Sequence, residues 1–161
     1  MNLQRLKSIL PTRFSFGATS AIITNLGLIV GFDSLTNPKS SIIRSMLVIA
    51  IADNISDTLG MHVYQESQKL GRKEVIASTF SNYAARLLAS LVFIVMVAVL
   101  PMPIATVVAM AYGMGLLVLT SYFIARDSNV SPRKAVIEHI VVAVLVILVS
   151  DWLGKMLSRH L

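Results

Sequence analysis

The sequence of 161 residues contains no cysteine and few charged residues. The absence of cysteine excludes disulfides, thiolate zinc sites and iron–sulfur clusters. Charged residues make up only 14% of the chain and hydrophobic residues 55%, which is more apolar surface than one soluble domain of this length can bury. The composition therefore predicts an integral membrane protein with the lipid bilayer as its surroundings.

Five apolar runs are each close to the length of about 20 residues that a membrane-spanning helix needs. They cover residues 15–32, 42–63, 84–100, 103–125 and 135–153. The connections between them are short and leave no room for a soluble domain. We therefore expect an all-α integral membrane protein, with residues 1–161 forming a single transmembrane domain of five transmembrane helices.

The absence of a cleavage site indicates whether the first run is retained, and prolines indicate where helices begin and end. The first run follows basic residues, as in a signal peptide, but Gly27 to Phe32 offers no small-residue cleavage site. We expect it to be retained, with a short interfacial helix before it that Pro11 ends. Pro101 and Pro103 predict a tight turn between the third and fourth spans, and Pro132 predicts the first position of the fifth.

The formal net charge of +6 comes mostly from Lys and Arg residues that flank the predicted spans, so nucleic acid is a poor explanation for it. In a five-span arrangement most of these residues fall on one side of the membrane, with Arg86 at its edge. The positive-inside rule then predicts a cytoplasmic amino terminus and an external carboxyl terminus, in a multi-pass protein of the cell membrane.

The second apolar run carries two carboxylates, Asp53 and Asp57, near its middle. A charge at that depth costs about 2.5 to 3.5 kcal/mol on insertion scales, so such residues usually pair or face a polar cavity. At about 100° per residue they share one sector with Met46, Ala50, Gly60, Met61 and Tyr64. Because carboxylates with a thioether suit iron(II) or manganese(II) better than magnesium, the stripe predicts a transition-metal site.

The two carboxylates also have structural alternatives, which are an ion pair between Asp53 and Arg44 or Arg86, or a hydrogen bond between Asp57 and Ser20 or Thr24. Carboxylates one helical turn apart should repel each other when both are ionised. We therefore expect their titration to be coupled, with one of them holding a proton at neutral pH. That behaviour suits the exchange of a cation against protons.

Gly27 and Gly31 have the spacing that lets two membrane helices approach closely. They lie on a small, weakly polar face of the first span together with Ser20 and Thr24. The spacing is compatible with ordinary packing inside one molecule and with a contact between two copies of the chain.

Three segments carry a resemblance to a known family. The first, from Phe16 to Gly31, reads FGATSAIITNLGLIVG, and the second, from Ser56 to Gln68, reads SDTLGMHVYQESQ. They resemble the opening and the second span of the vacuolar iron transporter family. The stretch from Ser131 to Gly154 is similar to that family's last span, so the likeness covers almost the whole chain.

This resemblance implies a five-span homodimer that exchanges iron(II) or manganese(II) for protons along a path between the first two spans of the paired subunits. The family's span-one aspartate position is Ser20 here, and Gln65 to Tyr83 is too short for the family's long acidic cytoplasmic helices. Its span-two methionine position falls on Asp57 and its glutamate position on Met61. Asp53 adds a carboxylate one turn farther into the membrane, which can replace the one lost at Ser20.

The sequence therefore predicts a transporter and not an enzyme, with no tightly bound cofactor and no catalytic residue. The residues assigned to the metal path are Asp53, Asp57, Met61, Met46, Ser20 and Thr24. The expected partners are the bilayer, a second copy of the chain, a divalent metal ion and protons, without nucleic acid.

Two other functions are compatible with the sequence. One is a membrane protein that keeps the fold but does not transport, since the span-one aspartate is absent. The other is a magnesium-dependent lipid enzyme, because Asp53 and Asp57 have the spacing that ends the membrane alcohol-phosphatidyltransferase motif. The rest of that motif is absent.

Overall fold

A computed structural model of the protein describes the backbone of residues 3–127 and 130–160, and the side chains of residues 16–126 and 130–159. Over these residues the chain forms helices joined by short connections. They are α1 (Leu3–Phe32), α2 (Pro38–Val48), a π-helical turn (Ile49–Asp53), α3 (Asn54–Ser67), α4 (Arg72–Val99), α5 (Met102–Asp127) and α6 (Pro132–His160).

The α2 helix, the π-helical turn and α3 form one continuous rod, because Val48 and Asn54 on either side of the turn keep helical dihedral angles. The described chain therefore has five helical rods, which is the number that the five apolar runs predict. Three of them are long and apolar enough to cross a membrane, namely Arg72–Val99, Met102–Arg126 and Pro132–Arg159. The α1 helix contributes a shorter apolar segment, Phe16–Phe32.

The helices extend beyond the apolar runs. The α4 helix begins at Arg72, so the connection between α3 and α4 is residues 68–71 and not the longer segment from Gln65 to Tyr83. Side-chain hydrogen bonds hold the two helices together where the apolar residues end. Gln65 Nε2, for example, donates to Ser78 Oγ over 2.8 Å.

The prolines behave as predicted at two positions and not at a third. The α4 helix ends at Val99 and α5 begins at Met102, so the predicted turn at Pro101 is confirmed, and Pro132 does begin α6. The predicted helix end at Pro11 is wrong, because α1 is continuous from Leu3 to Phe32. Proline removes one backbone hydrogen bond and disturbs one turn, which a helix of 30 residues can tolerate.

The α1 helix lies at the centre of the bundle and packs against α2, α4, α5 and α6. The core around it consists mainly of Ile22, Leu26, Ile29, Ile42, Met46, Phe93, Val97 and Leu117. The α3 helix packs on α4, and its buried residues are the polar Asn54, Thr58 and Gln65. One side of α3 is thus attached to the bundle by polar contacts, while its carboxylate side lies at the edge of the bundle.

Gly27 and Gly31 pack against α6 within the same molecule. A Cβ atom on Gly27 would lie 2.9 Å from Val146 Cγ1, and one on Gly31 would lie 3.3 Å from the carbonyl oxygen of Ser150. A Cβ atom on Gly154 would overlap the carbonyl oxygen of Gly31. The structure thus shows the glycine pair in intramolecular packing, and any contact between two copies needs a different surface.

The crossing of α1 and α6 provides a test of the fold. Gly154→Ala is expected to lower the free energy of unfolding by about 3 kcal/mol, because the new methyl group forces two backbones apart. Unfolding in mixed detergent micelles, followed by circular dichroism, measures the change. Gly115→Ala on α5 is the control, since no described atom other than its chain neighbours and the nearby backbone of its own helix lies within 4 Å of its Cβ position. Equal stability of the two variants would contradict the close crossing.

Candidate functional site

The side chain of Arg86 joins the two carboxylates of the second rod. Its Nη2 donates to Asp53 Oδ2 over 2.9 Å, and its Nη1 donates to Asp57 Oδ2. Nη1 also donates to Ser20 Oγ on α1 over 2.7 Å. One guanidinium therefore links α1, α4 and the second rod, and we call Arg86, Asp53, Asp57 and Ser20 the Arg86 cluster.

The members of this cluster differ sharply in exposure. The Arg86 side chain is 5% exposed, whereas those of Asp53 and Asp57 are 50% and 51% exposed. The guanidinium therefore lies beneath the carboxylates, which remain open on the outer side of the bundle. With all three groups ionised, the site carries one uncompensated negative charge. A cation that approaches the exposed side of the carboxylates would meet this negative charge before it reaches the Arg86 guanidinium.

The π-helical turn ends at Asp53 and so lies between Met46 and Asp57. The backbone N–H of Asn54 bonds to the carbonyl oxygen of Ile49, five residues earlier, so the regular helical period is interrupted just before the cluster. Met46 is fully buried in the core, whereas Asp53 and Asp57 are half-exposed. Met46 is therefore separated from the carboxylates in the structure. The sequence projection places them in one sector because it uses one constant angle per residue and so cannot include the π-helical turn.

The other predicted site residues lie near the cluster in different ways. Ser20 is a direct partner of Arg86, as described above. Thr24, one turn later on α1, lines a small cavity to which Arg86 also contributes. Met61 is half-buried one turn after Asp57 on α3.

The structural alternative considered for Asp53, an ion pair with Arg86, is present. Asp57 pairs with the same guanidinium, while Ser20 bonds to Arg86 instead of to Asp57. The repulsion expected between the two carboxylates is therefore reduced, because the guanidinium lies between them. Arg86, which the five-span arrangement places at the edge of the basic side of the membrane, lies in the middle of α4.

A set of buried amide side chains was not apparent from the apolar runs. Asn25 Nδ2 donates to Ser90 Oγ over 3.0 Å and to the carbonyl oxygen of Ala21 over 2.7 Å. Asn54 Nδ2 donates to the carbonyl oxygen of Tyr83 over 3.2 Å. The sequence does contain a signal for this set, namely an asparagine inside each of the first two apolar runs. Such a residue is costly unless its amide finds a hydrogen-bond partner.

As a cation site, the cluster offers two carboxylates and one hydroxyl group. In the part of the chain that the structure describes, no group of three or more His, Asp or Glu side chains lies together. A divalent ion at this position would therefore combine the oxygen atoms of Asp53, Asp57 and Ser20 with water or neighbouring groups. Carboxylate oxygens are ligands that suit hard divalent ions, manganese(II) among them.

The helices define the class of protein. A chain whose described residues are helical, with three helices long and apolar enough to cross a bilayer, has the architecture of a helical membrane protein. Comparison with protein-family models, with curated proteins and with solved structures gives no match for the chain. The likeness to the vacuolar iron transporter family thus stays a prediction from the sequence.

Proposed function

We propose that this chain is a membrane transporter that carries a divalent transition-metal ion, iron(II) or manganese(II), in exchange for protons. The observation that carries the proposal is the pair of half-exposed carboxylates, Asp53 and Asp57, above one buried guanidinium at the edge of an apolar bundle. An ionisable group at such a position is costly, and in membrane proteins such groups usually mark an ion or proton pathway. The adjacent π-helical turn supports the assignment, because such turns are frequent at functional sites.

Arg86 gives the proposed transport cycle a resting state. Without a metal ion, the guanidinium neutralises one of the two carboxylate charges. A divalent ion binding to Asp53 and Asp57 brings two positive charges to the same oxygen atoms and competes with Arg86 for them. Protons compete in the same way, so that proton binding to the carboxylates favours release of the metal ion.

The proposed arrangement in the membrane follows the sequence. We propose a cytoplasmic amino terminus, an external carboxyl terminus and a homodimer in the cell membrane. The open carboxylate side of α3 is the surface where a second copy would enclose the site. Gly27 and Gly31 are occupied by α6 and so do not form this interface.

Flux into liposomes tests the function directly. Purified protein reconstituted into vesicles is expected to take up Mn²⁺ or Fe²⁺ down a metal gradient, and an enclosed pH dye should report protons leaving as the metal enters. Mg²⁺ serves as the comparison ion and is expected to be carried more slowly, because it sheds its water reluctantly. Metal entry with no dye response under any imposed gradient would contradict proton exchange.

The second candidate is a membrane protein that keeps the fold without transporting. It is favoured by one specific observation, which is that Arg86 already bonds to both carboxylates and to Ser20. In that case the cluster is a structural ion pair that fixes α4 against the second rod. The same vesicles decide between the candidates, since a structural cluster predicts uptake no faster than in protein-free vesicles for every metal tested.

A further inference from the structure

A small cavity lies beside the buried guanidinium of Arg86. It measures about 10 Å³, and its lining includes Thr24, Asn25, Asn54, Arg86 and Ser90. This is close to the smallest volume that can hold one water molecule. The cavity is thus a narrow space between α1, α4 and the second rod, with both polar and apolar residues around it.

Two buried side-chain atoms that lack a hydrogen-bond partner belong to residues that line this cavity. They are Nε of Arg86, a donor, and Oδ1 of Asn25, an acceptor. Asn25 is 1% exposed and Arg86 is 4% exposed, so bulk water reaches neither residue freely. A buried donor and a buried acceptor around the same small space are chemically complementary, since each can satisfy the other.

We infer that Asn25 is a positioning residue that accepts the Arg86 guanidinium when a divalent cation occupies Asp53 and Asp57. This inference rests on the transport function proposed above. Binding of the cation takes away the two carboxylate partners of Arg86 and leaves it the Ser20 hydroxyl, and a buried guanidinium with most of its donors unpaired is strongly disfavoured. The Asn25 side-chain oxygen is a neutral acceptor that carries no charge with which to compete for the metal ion.

The surroundings of Asn25 fit this role. Its Nδ2 is held by Ser90 Oγ and by the carbonyl oxygen of Ala21, which fixes the orientation of the amide and leaves Oδ1 as the available acceptor. Arg86 and Asn25 line the same cavity, and the proposed motion carries the arginine side chain toward Asn25 within it. Metal binding and movement of Arg86 are thereby coupled.

Direct binding of Mn²⁺ to the detergent-solubilised full chain tests the inference. Free Mn²⁺ is measured by electron paramagnetic resonance during titration of the wild type, Asn25→Ala and Asn25→Asp. The alanine variant is expected to raise the Kd about tenfold, because the cation-bound state loses its acceptor. The aspartate variant is expected to lower the Kd about tenfold, because a charged acceptor holds Arg86 more strongly.

The control is Asn82→Ala, which removes a buried amide side chain on α4 instead of the one on α1. Asn82 is also 1% exposed, and its Oδ1 also lacks a partner, but it does not line the cavity. We expect its Kd to stay within about twofold of the wild type. Asn25→Ser, which keeps a smaller acceptor, should lie between the wild type and Asn25→Ala, and it replaces the aspartate variant in the comparison if that variant does not fold.

The outcomes distinguish failure of the Asn25 inference from failure of the proposed transport function. If the wild type binds Mn²⁺ and the Asn25 variants have an unchanged Kd, or if the alanine and aspartate variants shift the Kd in the same direction, the inference is overturned while the proposed function stands. If the wild type itself binds no Mn²⁺, the proposed function fails and the inference fails with it. Thermal unfolding of each variant without metal shows whether a shift in Kd comes from misfolding.

Discussion

Asp57→Ala is expected to reduce Mn²⁺ uptake into reconstituted vesicles about a hundredfold or more. In the wild type two carboxylates face one guanidinium, so an incoming cation meets one uncompensated negative charge. The substitution removes that charge, and the remaining carboxylate of Asp53 stays paired with Arg86. Asp53→Ala should have the same effect for the same reason. The initial rate of uptake is measured at equal amounts of reconstituted protein.

Glu66→Ala and Glu74→Ala are the matched controls, because each removes a carboxylate that lies outside the cluster. Glu66 pairs with His62 at an exposed position near the end of α3, and Glu74 lies in the first turn of α4. Charges exposed to solvent are screened over about 8 Å at physiological salt, so both controls should keep most of the uptake. Wild-type uptake by Asp57→Ala would remove the Arg86 cluster from the transport pathway.

Much of the helical architecture follows from the sequence. The apolar runs predict the number of rods because a membrane-spanning helix requires a stretch of apolar residues of nearly fixed length. Pro101 and Pro132 mark helix boundaries because proline lacks a backbone donor and is tolerated at the start of a helix. These signals are local. They fail at Pro11, where the helix continues through a residue that often ends one.

The interior of the site depends on features that lie far apart in the sequence. Asp57 and Arg86 are 29 residues apart, and Ser20 is 66 residues from Arg86. The sequence could therefore suggest Arg86 as one of several partners but could not choose among them. The register of the carboxylates was also not predictable, because the π-helical turn that ends at Asp53 has no simple sequence signature.

The Arg86 cluster also changes how the carboxylates themselves are understood. From sequence alone, Asp53 and Asp57 form a repelling pair whose cost calls for a bound cation or a proton. In the structure a cation is already present, as part of the protein. The cost of burying the guanidinium of Arg86 is offset by its two carboxylate partners, so arginine and carboxylates depend on one another. Stability and cation binding should therefore respond in opposite ways to the loss of this arginine.

Arg86→Leu is expected to lower the free energy of unfolding by about 2 kcal/mol, because three hydrogen bonds of the guanidinium are lost and the half-exposed Asp53 and Asp57 then lack a counter-ion. Unfolding in mixed detergent micelles measures the loss. Arg44→Leu, at an exposed position on α2, is the control and should change stability by less than about 0.5 kcal/mol. Adding Asp53→Asn and Asp57→Asn to Arg86→Leu should restore most of the stability, since all charges of the cluster are then gone.

Adding Mn²⁺ should stabilise Arg86→Leu more than the wild type, because the metal ion no longer competes with the guanidinium. If Arg86→Leu were as stable as Arg44→Leu, the ion pairs would not hold the second rod against α4.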